Sequence, residues 1–504
     1  MTNTSTGAPG PVAPAGFLAR FSAFWGDHLA RPLRAVRRAY VPLLMVYFAY
    51  GALGIIDVSR DMWVKESLSL SPAELAGVAV WLSLPWTIKM VFGQLVDGVT
   101  LFGSRRHAYV LIGASFTATG LVVLAGAAGG WFTHLPPNGA YVLGAVLMVL
   151  GAVIQDVVAD AMSSEVVDRV DAEGNPRPDA EIRTDLAMVQ VLGRLALGIG
   201  ILSVAGLSGW LAQHFPREQV FLFGLVVPLI SVTGALFVRP QVSEAQPVDW
   251  RILGGGLAFG AFVVGTALGE VPYAQELVFV VSMAVVLTML HMVTRDIDPK
   301  TRQAIVFATI IIFAFRATPG VGDGYFWWTL DVLKFDEAFY GILRQTSAVI
   351  AIGAMWFFSR QLTEYSVTTV LFWIAVAGTV LSIPNIGLYY GLADWTQANF
   401  GFGARTIAVV DAATTSPFAD LSMIPMLTLI AYYAPEGRRA TWFALMASLM
   451  NLALVAGQLQ TKYLNHIFTV GRGDYGELGG LLITATVIGF VVPVAVILMF
   501  RKRV

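Results

Sequence analysis

Leu84–Arg106 reads LPWTIKMVFGQLVDGVTLFGSRR. The stretch starts inside an apolar run, sets Lys89 in the middle of it, and closes it with Asp97 and a basic turn, Arg105-Arg106. A lysine within a hydrocarbon layer is expensive, so such a residue is retained for pairing with an acid or for a solute or ion path. The rest of the chain decides that the layer is hydrocarbon. Of 504 residues, 56% are hydrophobic and only 13% are charged, where a soluble domain has about a quarter charged. Mean hydropathy is +0.70. Uncharged runs of about 20 residues recur along nearly the whole length, the span of a membrane helix. Barrel strands would instead alternate over about 10 residues, so the fold class is an all-α polytopic membrane protein.

Spanning helices are expected at about 39–58, 72–98, 108–130, 139–162, 185–209 and 218–238. Shorter apolar runs follow at 252–269 and 275–293, and six more at 303–328, 337–359, 366–390, 404–431, 439–462 and 478–500. This predicts two six-helix bundles, 39–238 and 303–500, with two extra helices in a linker, 239–302: about fourteen transmembrane helices. Residues 1–38 form a tail whose Phe17, Phe21, Phe24, Trp25 and Leu29 suit an interfacial helix, and 501–504 a second tail. No apolar core precedes the first arginines, so no cleavable signal is expected. Arginine-rich loops alternate with arginine-poor ones: Arg31, Arg34, Arg37 and Arg38, then Arg105 and Arg106, Arg169, Arg177 and Arg183, and so on to Arg501, Lys502 and Arg503. By the positive-inside rule both termini are cytoplasmic, in a bacterial inner membrane.

Several charges fall inside these spans. Lys89 lies about 14 Å above the inner end of its helix, at 1.5 Å per residue. Asp156 and Asp160 share one face of the fourth helix at i, i+4, with Asp156 at a depth matching Lys89. The two are therefore expected to approach closely or face a common cavity, with Asp156 and Asp160 in coupling or gating. Arg194 and Arg316, near the middle of their helices, are candidates for holding an anion, since a guanidinium is a planar fork matching a carboxylate. Asp57 and Asp61, with Arg60 between them, sit at the outer end of the first helix, where a solvated helix end is the simplest reading. Asp97 with Arg105 and Arg106 reads as a structural latch at the inner surface. Tyr325, Phe326, Trp327 and Trp328 suit an interfacial aromatic belt, and alternatively a stacking platform for a flat heterocycle. Pro85, Pro319, Pro384 and Pro425 should kink or interrupt their helices. Pro319-Gly320 beside Arg316 and Asp323 is the most suggestive, because opened helix ends supply dipoles and free backbone groups to a site.

The Gly93…Asp97…Gly103…Arg105-Arg106 run resembles the loop between helices 2 and 3 of major facilitator superfamily transporters. Pro85-Trp86, Lys89 and Phe102-Gly103…Arg105-Arg106…Tyr109 are similar to segments of the folate–biopterin transporter family within it. So are Gln155-Asp156-Val157-Val158-Ala159-Asp160-Ala161…Glu165, Thr318-Pro319…Gly322-Asp323 (with Gly320 where serine is usual), and Pro435-Glu436-Gly437…Ala440-Thr441…Phe443-Ala444…Asn451. The resemblance covers most of 40–460. It implies a major facilitator fold and pterins, folates or related metabolites as substrates.

The expected function is thus secondary active transport of a small anionic metabolite by alternating access, coupled to protons. Arg194, Arg316, Lys89, Trp327 and Asn451 would contact substrate, and Asp156, Asp160, Asp323 and Asp57 would couple or gate. A non-transporting scaffold or a pigment- or cofactor-handling accessory protein on the same fold is the alternative. An enzyme is not expected. No lysine follows a glycine, so there is no phosphate loop, and no His-Glu-x-x-His occurs. Gly320-Val321-Gly322-Asp323 matches the short motif of intramembrane aspartyl proteases, but the chain has no Tyr-Asp dipeptide for the second aspartate. Without cysteine, disulfides and thiolate metal sites are excluded. No cofactor, metal or nucleic acid is expected; the partners are solute, protons and the bilayer.

Overall fold

The computed structural model describes residues 34–101, 106–168, 170, 171, 173–237, 250–269, 271–295, 297–364, 366–432 and 439–503. Every regular element among them is helical. In order they are α1 Val41–Ala52, α2 Asp57–Ser67, α3 Pro72–Thr87, α4 Lys89–Gly98, α5 His107–Ala128, α6 Pro137–Glu165, α7 Asp179–His214, α8 Arg217–Phe223 and α9 Val226–Leu236. A hairpin follows, α10 Trp250–Leu268 and α11 Ala274–Thr294. The remainder is α12 Pro299–Arg316, α13 Asp323–Asp331, α14 Glu337–Glu364, α15 Val367–Tyr389, α16 Leu392–Phe400, α17 Ala404–Tyr432, α18 Arg439–Ile467 and α19 Leu478–Phe500. Nine segments among the described residues are long and apolar enough to cross a membrane, plus a shorter apolar helix, Leu253–Ala267. The chain is an all-α, multi-pass membrane protein. The face at which α1 starts and α19 ends is called the terminal face below, and the opposite one the far face.

Several runs expected as single helices are interrupted, two of them beside a proline with backbone groups bonded across to α18. Pro85 has no N–H for its i−4 carbonyl, and α3 ends two residues later at Thr87. Ile88 then leaves the helical region with φ −108° and ψ 23°. The Thr87 hydroxyl donates to the Leu84 carbonyl at 2.7 Å, and Asn451 Nδ2 donates to the Trp86 carbonyl at 3.0 Å. Lys89 is therefore the first residue of α4, not a mid-helix position. The second interruption is residues 317–322, around Pro319, where Gly322 takes φ +80° and ψ −174°, a conformation left to glycine. Its free backbone groups bond to one face of α18. The Ala317 carbonyl accepts from Gln460 at 2.6 Å, the Gly320 N–H donates to Thr461 at 2.9 Å, and the Val321 carbonyl accepts from Asn465 at 3.1 Å. Unwound backbone at membrane depth needs partners of this kind. Pro384 and Pro425, by contrast, lie within α15 and α17 without ending them.

The first half packs around Leu43, Tyr109, Val158 and Val189, with a second centre at Ile56, Leu121 and Phe221. The second half packs around Ile311, Met426, Trp442 and Leu452. The halves meet mainly where α3 lies on α18 and α7 on α14. At the α7–α14 crossing a Cβ on Gly209 would stand 2.4 Å from the Glu337 carbonyl and 2.6 Å from the Gly341 nitrogen. Small residues there let the two backbones touch, which is how helices associate where lipid removes the hydrophobic drive.

Candidate functional site

The α3–α4 interruption places Lys89 against α6. Its ammonium pairs with Asp156 and, at 2.9 Å, with Asp160, the two carboxylates one turn apart on that helix. Tyr47 of α1 donates to the other Asp160 oxygen at 3.0 Å. Exposure is graded across the cluster: the Asp156 side chain is 14% exposed, Lys89 24% and Asp160 54%. One carboxylate is thus enclosed and the other is open to solvent. Arg194 of α7 is exposed and its charge acts on Asp156. Trp86, three residues before Lys89, stacks on Tyr50 with ring centroids 6.0 Å apart.

The same level continues into the second half. Asn451, which holds the Trp86 carbonyl, follows Met450, whose carbonyl accepts from Arg316 Nε at 3.2 Å. Arg316 Nη1 contacts the Met423 sulfur at 2.7 Å. Arg316 ends α12, where a cation complements the helix dipole. It is part-buried, and no carboxylate stands within ion-pair distance of it among the described residues. Lys89, Arg194, Asp156 and Asp160 sum to no net charge, so Arg316 is the surplus positive group among the described residues of this layer.

A second ionic cluster occupies the far face. Asp57 pairs with Arg60 at 3.0 Å and with Arg344 of α14 at 2.6 Å, and Asp61 pairs with Arg60 at 2.9 Å. Arg217 bridges Glu66 in the first half and Glu337 in the second, each at 3.1 Å, and Lys65 pairs with Asp331. Among the described residues, every ion pair between the two halves lies at this face. Asp323 opens α13 near this cluster, within electrostatic reach of Asp61 and Arg60.

Some expected positions resolve differently. The solvated reading of Asp57, Asp61 and Arg60 is corrected: they belong to a contact between halves, joined by Arg344. The aromatic belt is corrected for Trp327 and Trp328, which are buried. Trp327, 1% exposed, packs into the first half's core with the Arg472 guanidinium 4.3 Å over its ring, so that face is already occupied. At the expected latch, Arg106 Nε donates to Glu165 at 3.0 Å and Nη1 to the Val96 carbonyl at 3.3 Å. Arg105 and the Asp97 side chain lie outside the described residues, as does the tail helix expected before residue 34. Sequence reading passed over Tyr47 and Arg344. Arg344 lies in an apolar run, so the rule that singled out Arg316 applied to it as well. Tyr47 carries no comparable signal.

The BT1 family model matches residues 51–504 of this chain. A folate-biopterin transporter of Synechocystis sp. is 26% identical over 443 residues, covering 88% of this chain and 77% of that protein. Folate transporter 1 of Plasmodium falciparum is 20% identical over 456 residues, covering 87% and 75%. Among solved structures, a POT family transporter in complex with a thioalcohol-conjugated peptide superposes with a TM-score of 0.64 at 12% identity, covering 92% of this chain and 96% of that one. A POT family transporter in complex with 5-aminolevulinic acid gives a TM-score of 0.62 at 12% identity, again covering 92% and 96%. At such identities the likeness is one of fold.

Proposed function

This chain belongs to the BT1 family, and we propose from that premise and from the geometry of the charged layer that it is a secondary transporter of an anionic, folate- or pterin-like metabolite. Relatives with these substrates in their names support the substrate class. The observation that carries the mechanism is the pairing of one lysine with two carboxylates of unequal exposure, at the same level as an arginine with no carboxylate partner among the described residues.

An incoming carboxylate is drawn to Arg316 and Arg194, whose planar forks match it. It competes with Asp156 and Asp160 for Lys89. With both carboxylates ionised the ammonium is already shared, and an added anion leaves negative charge in excess at membrane depth. A proton taken up by this pair of carboxylates frees Lys89 for the substrate. This is the coupling step, and it makes the proton and the anion travel together. Asn451 holds the α3–α4 break to α18, so a change at Lys89 is felt where the halves meet. Asp57, Asp323 and Arg344 form the far-face gate, whose pairs must part for that side to open.

The arginine bias of the loops makes the terminal face cytoplasmic, in a bacterial inner membrane, with about fourteen spans in two six-helix bundles and a two-helix linker. The far face is then the outer one, and ion pairs between the halves close it. Uptake of labelled folate or biopterin into proteoliposomes tests the reading. Accumulation should follow an inward proton gradient. Asp160→Asn should lose gradient-driven accumulation yet keep exchange of internal for external substrate, and Arg316→Lys should weaken substrate affinity. Uptake insensitive to the gradient and unchanged in Asp156→Asn and Asp160→Asn would rule out this coupling scheme.

A further inference from the structure

Away from the charged layer, a cavity of about 370 Å³ lies between the α3–α4 break, the hairpin α10–α11 and α18. That size falls within the range of about 300–1,000 Å³ for small-ligand sites. Val91, Phe259, Val285, Met289 and Leu452 are among the apolar side chains that line it. Two of its three hydroxyls are already used within their own helices, Thr87 on the Leu84 carbonyl and Ser282 on the Val278 carbonyl at 2.8 Å. A pterin, folate or peptide would lose its hydrogen bonds to water here and find almost no replacements. The fitting ligand is a hydrocarbon chain.

The cavity sits in the half of the layer nearest the terminal face. Met289 is five residues from the end of α11, about 8 Å at 1.5 Å per residue, and Leu445 six from the start of α18. At that face, the end of α11 and the start of α12 carry His291, Arg295, Lys300 and Arg302, with Arg302 Nη2 2.7 Å from His291 Nδ1. This stretch holds two carboxylates, Asp296, which lies outside the described residues, and Asp298, which is committed to capping α12 through the Lys300 and Thr301 N–H groups; Arg295, Lys300 and Arg302 outnumber them. The rim is therefore cationic above an apolar chamber, complementary to a phosphate head with a hydrocarbon tail.

The hairpin is held at its other end by both halves. Gln275 donates to the Gly77 carbonyl of α3 at 3.1 Å, and Lys462 and Tyr463 of α18 donate to Glu276 at 2.8 and 2.7 Å. Near the terminal face, Gly256 of α10 lies against Val91 of α4. The chamber is thus walled by a helix pair anchored across the α3–α18 contact.

We propose that this cavity holds an acyl chain of an anionic phospholipid from the leaflet at the terminal face, with its phosphate among His291, Arg295, Lys300 and Arg302. The site is separate from the charged layer, because Ile88 and Val91 face it while Lys89 faces α6. Bound there, a chain fills the space beside the α3–α4 break and braces the halves where they meet. The proposal rests on the membrane-spanning reading and not on the transported solute.

Photo-labelling of the full chain in phosphatidylcholine nanodiscs tests it, using phosphatidylglycerol with a diazirine in its acyl chain. Peptides bearing Phe259, Met289 and Leu452 should label in excess of those bearing lipid-facing Trp373 and Met499. Gly255→Leu should remove the excess while leaving annular labelling of Trp373 and Met499, which reports an intact fold. A Cβ at Gly255 meets no atom within 4 Å, so the larger side chain enters the chamber without a backbone clash. Met289→Trp is the second filling variant. Arg302→Gln should lower labelling by the phosphatidylglycerol probe but not by a phosphatidylcholine probe with the same chain. Even labelling of all lipid-facing helices, an excess that survives both filling variants, or displacement by a planar sterol but not by phosphatidylglycerol would overturn the assignment.

Discussion

Replacing Lys89 by alanine should destabilise the protein more than removing Lys89 and Asp156 together. In the wild type the ammonium serves both carboxylates, and Asp156, at 14% exposure, has little water to replace it. Removing one partner of a buried ion pair costs about 3–5 kcal/mol, because the other charge is stranded. Asp160 is hydrated and keeps its bond from Tyr47, so the lower end of that range, about 3 kcal/mol, applies to Lys89→Ala. Asp156→Asn leaves Lys89 with Asp160 and should cost about 1.5–3 kcal/mol, the loss of one charged hydrogen bond. In the double variant no buried charge is stranded, and the total should be about 2 kcal/mol instead of the additive value of about 4.5–6 kcal/mol. Denaturant unfolding of the purified protein in detergent micelles, followed by tryptophan fluorescence, measures the cycle. Additivity within about 0.5 kcal/mol would refute the physical premise, an enclosed Asp156 dependent on Lys89.

Three other outcomes follow from the far face. The chain has no cysteine, and Ser59 is fully buried with no hydrogen-bond partner for its hydroxyl among the described residues, so Ser59→Cys should be silent and unreactive to a membrane-impermeant maleimide. Adding Arg344→Ala leaves Asp57 with Arg60 but removes its tie to the second half, and should make that cysteine react; unchanged protection means that the Arg344 pairs do not hold this face shut. Gly341→Val should destabilise by about 1–3 kcal/mol, since its Cβ would stand 2.9 Å from the Gly206 carbonyl; Gly353→Ala, where a Cβ meets nothing within 4 Å, should be near neutral in the same thermal scan. Asp336, in the turn before α14, accepts from Arg405 at 2.7 Å and from the Phe339 N–H at 2.8 Å, and the Arg405 bond holds its carboxyl below the usual carboxylate range. A depressed carboxyl contributes stability that is complete above the unfolded value of about 3.9 and is lost as pH falls through the folded one. Asp336→Asn should therefore flatten the fall in thermal midpoint between about pH 4 and 2; parallel curves for the two proteins would exclude the contribution.

Fold class, most helix positions and the Lys89–Asp156 approach were legible in the chain alone. Hydrocarbon forbids unsatisfied backbone and isolated charge, so apolar runs, prolines and rare ionisable residues carry direct structural meaning. A helical period and a depth count were enough to set Lys89 and Asp156 at one level. That Lys89 begins a new helix, that Asn451 caps the break from the other half, and that Gln460, Thr461 and Asn465 hold the second break needed tertiary structure. Their partners lie more than 140 residues away, and main-chain carbonyls carry no side-chain signature. The same distance hid the pairing of Asp57 with Arg344 and the burial of Trp327 beneath Arg472. Sequence periodicity tells which residues leave water. Which of them meet one another is decided by how helices far apart in the chain cross, and that depends on packing between surfaces that no local pattern encodes.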